Sequence, residues 1–466
     1  MRRVVFLLIF LSTIFFGQPL SYSYNFIQVG NSIGTEHPLP SVNNHSNING
    51  NGQAVWQAGT DGSLNHYEIF FFDGASTIQL TNNNFMDLDP QINDNGWVVW
   101  QGGGQDFTQK YLREIYLYNG SQTLRLTNDN FEDTDARINA HGQVVWRKKE
   151  GQYYHIYFYD GTITHQITGD NYDALQPDIN DNGHLVWLKN VEGFSRMVMF
   201  YNGNSITQVP NIGDFHFCFR PRINNNDQVV WAGSEVNGAV NQEIFLYTNG
   251  TVIRLTNNSY ADVLPQINEN GYITWNGNGT IKLYDGSSTI DLGLDPAGFG
   301  SNINSNGKII WCSSAGIRLY DGSNTIHLTD NPRDLSPDIG DNNDVVFDRT
   351  SDMTHQAIWL AKANRPPVLN PIGNKTVRVG KRLRFTITAN DPDEDDNLHF
   401  AAQNLPQGAS FIDNGNRTAT FDWTPTVNQA GLHSVLFQVS DGDLSDSEPI
   451  TINVYALQVA TAVPLP

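Results

Sequence analysis

A short frame of apolar and polar positions recurs along most of this chain. An isoleucine is followed by an asparagine, a tight turn that usually contains glycine, and an apolar triplet ending on an aromatic ring. Ile48, Ile92, Ile138, Ile179, Ile223, Ile267, Ile303 and Ile339 open the copies, and Trp56, Trp100, Trp146, Trp187, Trp231, Trp275, Trp311 and Phe347 close the triplets. Successive isoleucines are 44, 46, 41, 44, 44, 36 and 36 residues apart. Within a copy the apolar runs are too short for helices. Pro90 to Asn93 leads through Asp94-Asn95-Gly96, whose Asn-Gly tolerates positive φ, into Trp97 to Trp100. Glu114 to Tyr118 reads as a third strand, Asn119-Gly120 as a turn, and Thr123 to Thr127 as a fourth strand. Four short strands per ~40 residues predict a propeller blade, whose radial sheets bury their faces against one another. The recurring aromatic is then a wedge between blades.

The eighth copy has strands at Asp344 to Asp348 and Ala357 to Ala361 but no fourth strand before Pro366. Phe26 to Val29 precedes the first copy and resembles the missing piece. Pairing it into the last blade closes the ring and removes a free edge. The expectation is an all-β chain with an eight-bladed propeller over 24–361; seven blades, or two half-size propellers, are the alternatives. Asn364-Arg365-Pro366-Pro367 then breaks the repeat, because proline cannot join a central strand and extends the residue before it. A linker is expected over 362–367. Beyond it, Leu383 to Ala389, Ala419 to Trp423, Ser434 to Ser440 and Ile450 to Tyr455 alternate apolar with polar between Asn-Gly and Asp-Gly turns, the pattern of a β-sandwich over 368–455.

The repeat resembles TolB-type propeller repeats. Pro90, Pro177, Pro221, Pro265 and Pro337 hold the family's proline place, and Leu80-Thr81, Leu126-Thr127, Leu255-Thr256 and Leu328-Thr329 its closing pair. The turn departs from that family, being mostly Asn-Gly after Ile-Asn. The resemblance implies a scaffold more than an activity. Leu405-Pro406-Gln407-Gly408-Ala409, Phe421-Asp422-Trp423-Thr424-Pro425, Gly431 and Val439-Ser440-Asp441-Gly442 resemble bacterial immunoglobulin-like domains related to the dystroglycan-type cadherin-like fold. That superfamily uses acidic loops for calcium, and the matching positions are Asp391, Asp393, Asp395 and Asp441. Calcium takes six to eight oxygens, so these carboxylates supply a half-site; a solvated acidic turn is the alternative. Glu394 stands where that family usually has glycine. The tail 456–466 ends Ala-Val-Pro-Leu-Pro, which resembles the opening of a C-terminal sorting signal of Gram-negative exported proteins.

Charge narrows the partners. The formal net charge is −21 and only 16% of residues are charged, which excludes a phosphate-binding surface built on clustered lysine and arginine. Nucleic acid is not an expected partner. Arg2 and Arg3 precede an apolar run from Val4 to Phe16, and Ser21 and Ser23 follow, the layout of a signal peptide over 1–23. The run rises only ~20 Å, short of the ~30 Å bilayer core. The protein is therefore expected to be exported, extracellular or at the surface of a Gram-negative bacterium, touching a membrane only through a C-terminal anchor beyond this sequence. Cys218 and Cys312 either form one bridge or stay as two buried thiols.

Catalytic signatures are sparse. Gly30-Asn31-Ser32-Ile33-Gly34 matches a hydrolase nucleophile pattern, but it follows a strand with no helix after it. Asp87, Asp133, Asp173, Asp262 and Asp334 recur five or six places before the repeat isoleucine, which points to a structural carboxylate bonding turn amides. The residue before each isoleucine is polar but varies in charge: Asn47, Gln91, Arg137, Asp178, Arg222, Gln266, Asn302 and Asp338. Such variation suits one asymmetric ligand site near the axis, with Arg137, Asp178 and Arg222 on three successive blades as its candidates. These readings favour a non-enzymatic binding or adhesion protein for an extracellular protein or glycan. The rival is a propeller carbohydrate hydrolase or lyase with paired carboxylates.

Overall fold

A computed structural model describes residues 24–33, 46–59, 67–103, 113–191, 195–210, 217–235, 241–294, 300–352, 355–393 and 397–456. The segment read as a signal peptide, the tail, Asp395 and part of the nucleophile-like motif lie outside the described residues. The chain divides into two compact units, one spanning Phe26–Lys362 and the other beginning at Ala363.

The first unit is a ring of eight four-stranded antiparallel blades. Seven take their strands consecutively, from Asn47–Ile48, Ala54–Gly59, Tyr67–Phe72 and Thr77–Gln79 in blade one to Ser301–Ile303, Ile309–Ser313, Gly316–Tyr320 and Thr325–His327 in blade seven. A single parallel bridge, Arg196 to Phe217, links the sheets of blades four and five. Blade eight is composite: Asp334–Ile339, Val345–Asp352 and His355–Ala363 are joined at the rim by Tyr24–Ile33. Phe26 meets Phe347 edge-on at 6.2 Å, and Thr77 of blade one donates to the carbonyl of Val29, so the closing strand is fixed on both sides.

The repeat aromatics fill the gaps between blades. Trp187, 1% exposed, packs with Val145, Ile156 and Phe158 of the preceding blade. Trp56, Trp100, Trp146 and Trp231 each stack on an aromatic of their own third strand, Phe70, Tyr116, Tyr157 and Phe245. The recurring carboxylates have a different partner from the turn amides expected of them. Asp87, Asp133 and Asp262 accept the indole N–H of Trp100, Trp146 and Trp275. Where Phe347 replaces tryptophan, Arg349 takes over as donor to Asp334. Asp173 does accept a backbone amide, that of Tyr154.

A belt of asparagines ties the ring near its axis. The side-chain amides of Asn49, Asn93, Asn139, Asn180, Asn224 and Asn268 each donate to the backbone carbonyl of the next blade's asparagine, and Asn304 donates to that of Gly340. The carbonyl oxygen of the same asparagine caps its own turn, as Asn93 does for the amides of Asn95 and Trp97. Both ends of the amide are thus used, which neutral asparagine alone supplies at this length. Gly340 ends the belt because a Cβ there would lie 2.3 Å from the carbonyl of Asn49.

The innermost strands carry a β-bulge in six blades, at Asp89, Asp135, Gln176, Arg220, Leu264 and Ser336, all with φ between 50° and 59°. Proline follows all but Asp135. The strand is the sheet's inner edge, so the missing donor costs no ladder bond.

The second unit is a β-sandwich. One sheet orders Val368–Leu369, Leu383–Asn390, Thr418–Trp423 and Ser410–Asp413; the other orders Lys375–Arg378, Ser445–Tyr455, Gly431–Ser440 and His399–Gln403. Phe421, Trp423, Phe437, Val439 and Ile452 form the core between them. Cys218 and Cys312 are both buried thiols, not joined in a disulfide.

Candidate functional site

The inner strands bring all eight residues that precede the repeat isoleucines to the wall of one axial cavity of about 470 Å³. Arg137, Asp178 and Arg222 are among them. A second cavity of about 310 Å³ occupies the turn end of the axis, and both are lined by Ile138, Ile179, Ile223 and Ile267. An isoleucine collar therefore stands between two polar chambers.

Most of the ring is committed to holding neighbouring blades. Asp178 Oδ2 accepts the amide of Ile223 and Asp338 Oδ2 that of Ile48, each at 3.1 Å. Asn47 and Asn302 donate to the carbonyls of Pro90 and Pro337. Arg222 reaches Gln266 through Nε at 3.4 Å and bonds the carbonyl of Pro221 at 3.2 Å. Among the described residues Arg137 bonds the carbonyl of Ala136 alone, at 3.3 Å, so most of its five N–H groups are uncommitted there. Burial pulls the guanidinium of Arg222 below its usual range; Asp178 opposes the shift, and Arg137 and Arg220 add to it. Burial likewise pushes Asp338 up to about 6.

Sequence reasoning missed Arg220. It lies two places before Arg222, at the bulge, and lines the same cavity. The signal was present as the residue before the recurring proline: Arg220, Leu264 and Ser336 all line the cavity from that position. The second chamber is acidic at Asp94, Asp181, Glu269 and Asp341, but each of these carboxylates accepts a backbone amide of the preceding blade.

In the sandwich, Asp391 and Asp441 lie close enough for Asp441 to help raise the Asp391 pKa, after burial and Asp393. Asp391 Oδ1 caps the amide of Asp393. Asp393 accepts from the backbone amide and guanidinium of Arg365, and Asp441 from Asn364, Asp443 and Leu444. Asp391 Oδ2 is buried without a donor among the described residues. This loop therefore presents one uncommitted oxygen among its described carboxylates, and Asp395 lies outside the described residues.

Residues 364–453 match the family model of the bacterial Ig domain. No curated protein matches the sequence. Among solved structures the chain is similar to TolB from Acinetobacter baumannii, at 11% identity and a TM-score of 0.36, over 66% of this chain and 80% of that one. It is also similar to the β-propeller domain of the Trilobed protease from Pyrococcus furiosus, at 10% identity and 0.45, over 62% and 98%. PorZ of Porphyromonas gingivalis, a surface component of a type-IX secretion system, shares 11% identity at 0.29, over 88% and 70%. A propeller followed by a bacterial Ig domain fits a binding or surface protein. Among the described residues no helix is long and apolar enough to cross a membrane.

Proposed function

We propose that this is an exported, non-enzymatic binding or adhesion protein whose propeller takes an anionic group of an extracellular protein or glycan into the axial cavity, with the C-terminal domain as a spacer. One observation carries the reading. Arg137, Arg220 and Arg222 line the cavity together, while both carboxylates on its wall, Asp178 and Asp338, are tied to backbone amides. Guanidinium groups recognise carboxylates and phosphates in forked geometry, so a ligand with such a group matches this wall.

The carbohydrate-hydrolase reading gains less. Its two carboxylates must flank a scissile bond, and here they stand on blades four and eight, each occupied by an amide. Among the described residues the cavity wall also holds no aromatic ring for a sugar to stack on. The test is an array of acidic and neutral glycans and of extracellular proteins, screened with the chain lacking 1–23. The expected ligand is acidic, and a folded Arg137→Ala, Arg222→Gln variant should bind it at least tenfold more weakly. A neutral ligand, or equal binding by the variant, sinks the proposal.

A further inference from the structure

Three carboxylates converge where blade two meets blade three. Glu114 opens the strand Glu114–Tyr118, Asp129 lies in the loop after the outer strand, and Asp133 belongs to Glu132–Ile138. One oxygen of each comes within 4.8 Å of the others. Glu114 is 2% exposed and Asp133 0%.

Their acceptors can be traced one by one. Glu114 Oε1 takes the amide of Asp129 at 2.9 Å and faces Arg125 at 3.1 Å. Asp129 Oδ1 takes the amide of Phe131, and its Oδ2 takes Lys148 Nζ at 2.6 Å. Asp133 Oδ1 takes the Trp146 indole at 2.8 Å. Among the described residues Glu114 Oε2 and Asp133 Oδ2 have no partner. Buried carboxylate oxygens without donors are costly, so two of them facing one cluster need an explanation.

The other blades supply the comparison. Where blade one meets blade two, Asn83 donates to Asp87 Oδ2 at 2.8 Å, and Thr81 donates to Glu68 Oε2. Where blade five meets blade six, Asn258 donates to Asp262 Oδ2 at 2.6 Å, and Thr256 donates to Glu243 Oε2. Blade two has Asp129 in the place of that asparagine. The exchange removes the donor to Asp133 Oδ2 and adds a third carboxylate, and Glu114 Oε2 is bare beside it even though Thr127 keeps the place of Thr81 and Thr256.

We propose that Glu114, Asp129 and Asp133 form a site for a hard divalent cation, calcium being the best match. The donor set is oxygen only, which disfavours zinc and copper. Calcium accepts a flexible oxygen set at varied geometry, whereas magnesium demands a near-ideal octahedron, so three carboxylates of this kind suit calcium better. Lys148 is the resident counter-charge, and it has an alternative partner in Glu150, 3.6 Å away. Cation binding therefore moves Lys148 off Asp129.

The test uses the chain with Asp391→Asn and Asp393→Asn, so that only the propeller site is read, stripped of metal by chelation. Terbium is the probe, because Trp146 donates to a ligand residue and can sensitise its emission. The expected result is sensitised emission that calcium competes away. An added Asp129→Asn restores the arrangement seen after blades one and five, so the protein should melt no lower without metal and should lose the emission. Lys148→Met keeps a long unbranched side chain while removing the competing ammonium, whose Nζ lies over the rings of Phe131 and Tyr157, and should bind calcium several-fold more tightly. No emission and no calorimetric heat at several millimolar calcium overturns the proposal. So does equal emission from the Asp129→Asn variant, or unchanged affinity on loss of Lys148.

Discussion

The side-chain amide of Asn180 is shared between two acceptors on the next blade, the carbonyl oxygen of Asn224 and the carboxylate of Asp227, each 2.9 Å away. Its own oxygen caps the amides of Asn182 and His184. Asn180→Asp keeps the cap but sets a negative charge against both acceptors. It should cost about 3 kcal/mol or more, and more than Asn180→Ala, because it leaves a buried charge facing oxygen. Urea unfolding of the two variants decides the order.

Replacing Trp187 with alanine removes a side chain packed between blades three and four. The expected loss is ~3–5 kcal/mol, the range for emptying a buried aromatic site. Unchanged stability would mean that the blade interface does not depend on the wedge.

Deleting Tyr24 to Gly30 takes the rim strand from blade eight and bares the edge of His355–Ala363. Exposed edges template association. A large fall in melting temperature with concentration-dependent light scattering is expected, and a monomer with the parent's melting temperature would contradict the closure.

Asp348 is buried in blade eight with Ser46 as its side-chain donor, and burial raises its pKa to about 8. An unfolded aspartate titrates near 3.9. Between those values the folded state holds the proton and the unfolded state does not, so this group's contribution is complete below about pH 4 and is lost as pH rises through about 8. Asp348→Asn should match the parent at pH 4 and melt higher than it at pH 8. A constant difference across that range would exclude the carboxyl as the source.

Calcium binding by the C-terminal domain must release Asp393 from Arg365, so affinity should be weak, on the order of 10⁻³ M. A small calcium-dependent rise in that domain's melting transition is expected in a chain carrying Asp129→Asn, abolished by Asp391→Asn. No shift at several millimolar calcium leaves the loop as a set of turn caps.

The ring was legible because period and pattern repeat: Ile92 and Trp100 recur at fixed offsets, and that offset fixes strand, turn and strand. The polar position before each isoleucine was legible for the same reason. What the sequence hid were partners across strands and across blades. Asp133 signalled a structural carboxylate, yet nothing local indicates that its donor is Trp146, which the antiparallel register brings beside it from thirteen residues on. Asn139 looked like a turn former, and its bond to Asn180 O spans 41 residues. Arg220 looked like a residue before a proline, and only the bulge turns that position toward the axis.

The composite eighth blade sets the order in which the molecule can be finished. A chain delivered from its N-terminus can complete each of the first seven blades from consecutive residues as they appear. The strand Tyr24–Ile33 emerges before all of them and waits for His355–Ala363, which emerges after them. Until then an apolar strand is left without its sheet, and the long loop it must close makes its docking slow. Synthesis halted shortly before Ala363 thus yields an open ring with two adhesive ends, whereas release of the last strand latches it.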